Sequence, residues 1–148
     1  DCRSEAVALA YHWQNLTGEA EISRSWQGDY PAAHLDFLPA DQRDQAVGYI
    51  DEDGTFEAVW NAFKPSETPP PVDFETHLVL FARNTRFYNR IAIGKVEVKH
   101  GIAEVLAAET LSARPIEDKD GLSLAVVSRQ GITAVQSREG IIPIPWRR

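Results

Sequence analysis

The chain has 148 residues, 43% of them apolar and 25% charged, with a formal net charge of −7 and a single cysteine. That length suits one domain, residues 1–148, large enough to bury a proper core. The acidic balance argues against general nucleic-acid binding, which needs a basic footprint to displace counterions. No run approaches the roughly 20 apolar residues of a membrane-crossing helix, and one cysteine permits neither an internal disulfide nor a cysteine metal cluster.

The chain contains no methionine, position 1 included. The expectation is a processed product that has lost an export signal, and hence a periplasmic or secreted domain. Cys2 lies near enough to the start for a lipid anchor. However, Asp1 precedes it where a bacterial lipidation signal wants a small residue, so an incidental thiol is expected.

In chain order, EAVALAYHW suits either a helix or a strand, AEISRSW alternates as a strand does, and GDYPAAHLDFLPADQRDQ reads as a long connection broken by prolines. VGYI is a short strand. DEDGTFEAVWNAF is the clearest helix, placed at about residues 55–64, with Thr55 as its cap and Glu57 at the positive end of its dipole. Phe56, Val59, Trp60 and Phe63 fall at i, i+3, i+4 and i+7, one apolar face. The run KPSETPPPV ends it, because proline cannot extend a helix.

Strand texture follows. HLVLFA is apolar on both parities, as in a strand covered on both faces. In IAIGKVEVKHG the apolar parity switches between Ile93 and Val96, which predicts a β-bulge near Gly94. His100-Gly101 is then a turn, followed by strands in AEVLAAET and GLSLAVVS and a last pair, ITAVQ and GIIPI, turning at Arg138-Glu139-Gly140. The fold class expected is α+β, mainly β: an antiparallel meander sheet or sandwich with one short helix.

Motifs for chemistry are sparse. Asp51-Glu52-Asp53-Gly54 suggests a calcium loop, but Tyr49 and Trp60 occupy the positions that its first aspartate and closing glutamate require. His12, His34, His77 and His100 lie at no metal-ligand spacing. Ser112 and Ser128 sit at strand ends without the nucleophile-elbow pattern or a local histidine. No catalytic, cofactor-binding or metal residue is assigned, and the reading is of a non-enzyme.

RNTRFYNR, residues 83–90, is the most distinctive segment. Arginine and aromatic side chains dominate protein-recognition hot spots, and guanidinium groups fork onto carboxylates. Two readings stay open here: a hairpin turn with solvated arginines, or a recognition surface of Arg83, Arg86, Phe87, Tyr88 and Arg90. The second would favour an acidic partner protein and bind less tightly in salt. An alternative function is a small-ligand binder with its pocket between helix and sheet, near Trp60 and the prolines.

From about residue 50 to 145 the chain resembles the protease-complex-stabilising subunit (PrcB-like) domain family of bacteria. Trp60 on a short helix, Pro70 or Pro71, Val72-Asp73-Phe74, then Val79 and Leu80 in an apolar strand occupy the places of that family's pattern. Members carry a glycine-rich turn ending in Gly-Gly-Tyr after the strand. Here Asn84 to Asn89 stand instead, with Tyr88 at the tyrosine place. The resemblance implies an exported accessory domain that steadies another protein without catalysis of its own, with Asp73 fixing the start of the apolar strand through a local hydrogen bond.

Overall fold

The computed structural model describes residues 17–39, 42, 45–84, 91–109, 119–137 and 140–144. Its strands are β1 (Thr17–Ala20), β2 (Ile22–Pro31), β3 (Val47–Ile50), β4 (His77–Asn84), β5 (Ile91–Lys99), β6 (Ile102–Glu109), β7 (Lys119–Ser128), β8 (Ala134–Ser137) and β9 (Gly140–Pro143). A 3-10 helix, Ala32–Phe37, and one α-helix, α1 (Asp53–Phe63), complete the described elements. The first sheet has the order β1-β5-β6-β8-β9, the second β2-β7-β4-β3. Of the two layouts expected, the sandwich is the one formed.

The stacking follows from the side chains of β4 and β7, which are buried almost throughout. On one face of the second sheet Val79, Phe81, Leu122, Leu124 and Val126 meet α1. On the other, Leu78, Leu80, Ala82, Ala125 and Val127 meet the first sheet through Ile93, Val96, Val98 and Val135. A strand that is apolar on both parities must be covered on both sides. The result is three layers: helix, sheet, sheet. All strand pairs are antiparallel except β6 with β8, which run parallel.

The helix face is as the spacing predicts: Phe56, Val59, Trp60 and Phe63 are all buried. Each such burial contributes about 1.5–3 kcal/mol. The N-terminus differs from expectation. The helix begins at Asp53, with Glu52 in the cap position making no side-chain capping bond. The Thr55 hydroxyl instead donates to the Glu52 carboxylate at 2.8 Å. Lys64 N–H bonds to the Trp60 carbonyl at 2.7 Å and closes the last turn before the prolines.

The alternating run AEISRSW is two strands rather than one. β1 joins the first sheet, β2 the second, and the chain changes layer at Glu21. The long connection expected from Gly28 is also shorter. β2 runs on to Pro31 because Tyr30 is buried in the helix-side core, and the 3-10 helix follows, leading to the buried Leu38. The segment EAVALAYHW lies outside the described residues. The predicted bulge is present between Ile93 and Lys95. Its freed Ile93 N–H is received by Ser123 Oγ at 3.0 Å, and the same hydroxyl donates to the Trp26 carbonyl at 3.1 Å. One serine therefore ties β5, β7 and β2 together. At the β5–β6 turn His100 and Gly101 both have positive φ, 54° and 83°, as a two-residue hairpin of this twist demands. Among the described residues no helix is long and apolar enough to cross a membrane.

Candidate functional site

One end of the sandwich gathers the connections between its layers. β4 leaves the second sheet at Asn84 and β5 enters the first at Ile91, while β6 ends at Glu109 and β7 begins at Lys119. Asn84 is opposite Gly121, and Ile91 opposite Glu109. Both crossing segments thus leave from the same end. Between the sheets there, a cleft of about 230 Å³ is lined by Ala82, Arg83, Ile91, Glu109 and Ser137, among others.

Arg83 is not on a turn. It belongs to β4, opposite Leu122, and only 5% of it is exposed. Its Nη1 lies 3.3 Å from Asp120 Oδ2, its Nε donates to the Gln45 carbonyl at 2.8 Å, and its main-chain N–H bonds to Ala46 O at 2.8 Å. The guanidinium is therefore drawn into the core, where it pins the approach to β3 against β4 and β7. Local sequence holds no sign of this, because the partner carboxylate is 37 positions away. Arg86, Phe87, Tyr88 and Arg90 lie outside the described residues.

Burial raises the Asp120 carboxyl above its ordinary value, and the charge and hydrogen bond of Arg83 offset that only in part. Burial also raises Tyr30, with Asp36 adding to the rise and Arg83 opposing it. Its hydroxyl therefore stays neutral and donates to the His34 carbonyl. The base of the 85–90 segment is a braced polar cluster of low solvent access.

The other candidates are dispersed. His34 is stacked on Phe37 at 4.7 Å, His77 opens β4 and His100 sits in the β5–β6 turn. No group of three metal-ligating side chains forms among the described residues. Asp51 and Glu52 connect β3 to α1, and Asp53 and Gly54 already belong to its first turn. His77 and Ser128 do stand directly opposite each other on β4 and β7, a pairing that only the register reveals. Each is engaged by its own chain neighbours: His77 Nδ1 lies 2.7 Å from Thr76 Oγ1, and Ser128 Oγ accepts from Gln130 N–H at 3.4 Å. His12 and Ser112 are outside the described residues.

The space between helix and sheet, where a ligand pocket was expected, is filled. Trp60 packs edge-on to Trp26 at 5.1 Å and to Phe63 at 6.0 Å, and its indole N–H bonds to the Glu67 carbonyl at 3.2 Å. An open groove of about 500 Å³ lies outside it, between the first turns of α1 and the prolines, lined by Asp53, Phe56, Glu57 and Pro69 to Asp73. Asp73 shapes the following turn. Its Oδ1 accepts the Glu75 N–H at 3.0 Å, and its carbonyl accepts Thr76 N–H and His77 N–H at 3.2 and 2.8 Å. Compared with known proteins, the chain matches no family model, no curated protein and no solved structure.

Proposed function

We propose that this is a non-enzymatic accessory domain of the extracytoplasmic space that docks onto a partner protein through the segment following Arg83. Arg86, Phe87, Tyr88 and Arg90 are its contact residues, and the partner surface is acidic. The observation that carries this reading is the bracing of the segment's base: the Arg83–Asp120 pair and the Arg83–Gln45 bond tie the end of β4 to β7 and to the chain before β3. Recognition segments work best on a scaffold that does not yield. The resemblance to the protease-complex-stabilising subunit family supports the same class of function.

The test is affinity capture from an extract of the source organism, wild type beside an Arg86→Glu/Arg90→Glu variant, both first shown to melt cooperatively. Arg83 stays intact because its charge is buried. A protein held by the wild type at low salt and lost with the variant is the expected result. A partner retained equally by both would move the contact elsewhere, and no partner on the wild type would remove the docking function.

A further inference from the structure

Among the described residues the two sheets have four edge strands, β1 and β9 in the first and β2 and β3 in the second. Unpaired edges invite association, and proteins usually blunt them. On β3 the outward N–H of Tyr49 is received by the Gln42 side chain at 2.6 Å. On β9, only four residues long, the outward positions are Ile141 and Pro143, and of these Pro143 lacks an N–H and its carbonyl accepts the Tyr49 hydroxyl at 3.3 Å. β1 has only four residues, and its outward position Glu19 carries a carboxylate. β2 is different: ten residues long, with Ser23, Ser25 and Gln27 exposed.

The register identifies which groups of β2 face outward. Arg129 N–H bonds to Thr76 O, so odd-numbered residues of β7 bond towards β4 and even-numbered ones towards β2. Arg24, Trp26, Gly28 and Tyr30 lie opposite those even residues and are bonded inward. The main-chain groups of Ser25 and Gln27 therefore point away from the sheet.

We infer that this edge is where two copies of the chain associate, with β2 pairing antiparallel to β2 of the partner subunit about a two-fold axis at Trp26. In that register Ser25 exchanges both main-chain bonds with Gln27 of the partner subunit, and Gln27 does the same with the partner's Ser25. Trp26 meets Trp26 of the partner subunit at the non-hydrogen-bonded position, where side chains come closest and aromatic pairs contribute most. Trp26 is half-buried and already oriented, by Trp60 at 5.1 Å and by the Arg24 guanidinium 5.6 Å above its ring. A two-fold interface must be complementary to itself. This one sets serine against glutamine and tryptophan against tryptophan, and it opposes no two carboxylates, since Asp29 falls across from Ser23. That self-complementarity selects a second copy over a foreign strand. With −7 on each chain, long-range repulsion opposes the encounter, so added salt should strengthen it. The inference is independent of the docking function proposed above.

Sedimentation velocity of the full chain over rising concentration tests the inference, beside Gln27→Pro and Gln27→Lys. Proline removes the outward N–H and none of the bonds to β7, and lysine is a natural edge guard. Far-UV circular dichroism and a cooperative melt establish that each is folded. If the proline variant fails that check, the lysine variant carries the test. The expected result is a wild-type dimer whose association weakens at least about tenfold in the folded variants and tightens between about 20 and 150 mM salt. A wild type that stays monomeric at every concentration would overturn the inference. So would variants that dimerise as the wild type does.

Discussion

Asp120 is subject to two opposed influences, burial that favours its protonated form and a guanidinium that favours its charge, and burial is the larger. Because its folded pKa lies above the ordinary 3.8, the fold favours the proton. Its contribution to stability is complete below that value and is lost as pH rises through the raised one. Wild-type stability relative to Asp120→Asn, which does not titrate there, should therefore fall between about pH 3.5 and about pH 7. Urea denaturation at the two pH values checks this, and a difference that grows with pH would mean that Arg83 governs the carboxyl instead. Two glycines make a second comparison at this scale. A Cβ on Gly48 would lie 2.3 Å from Gln42 Oε1 and 2.6 Å from Phe81 Cζ, both deeply buried, whereas one on Gly94 would meet only Leu106 O at 3.9 Å. Gly48→Ala should cost about 1–3 kcal/mol by overpacking. Gly94→Ala should be neutral or stabilising by up to about 1 kcal/mol. Paired urea melts separate them, and equal losses would refute the comparison.

Among the elements, those with strong local periodicity were legible in the sequence. The face of α1, the doubly covered β4, the bulge beside Gly94 and the His100-Gly101 turn each arise from residues within a few positions of one another. What was not legible depends on distant partners. The division of AEISRSW between two sheets is decided by β5 and β7, which lie some 70 to 110 positions further on. Likewise, the extension of β2 to Pro31 depends on the burial of Tyr30 against residues supplied by other elements. The parallel pairing of β6 with β8 has no short-range signal at all. For the candidate site the same distinction holds. By composition Arg83 belongs with the arginines and aromatics of RNTRFYNR, yet its role is set by Asp120 and Gln45, which no local pattern connects to it.

At the level of the whole molecule, the sequence carries its charge unevenly and the topology mixes it. Residues 1–74 carry 4 basic and 14 acidic side chains, residues 75–148 carry 11 and 8. In space the halves interleave: β1 is bonded to β5 and β2 to β7, so strands of the acidic half lie beside strands of the basic half. Two cores, one on each face of the second sheet, hold the layers together. The Arg83–Asp120 pair lies at the end of that shared sheet, one residue before β4 ends. The account rests on this division of labour, with Arg83 serving the fold and the arginines after it serving the partner. Urea denaturation of Arg83→Ala beside Arg86→Ala/Arg90→Ala tests it most directly. The account expects Arg83→Ala to lose about 3–5 kcal/mol, the cost of leaving a buried charge unpaired, and the double variant to stay within about 0.5 kcal/mol of wild type. Near-wild-type stability for Arg83→Ala, or an equal loss in both variants, would contradict it.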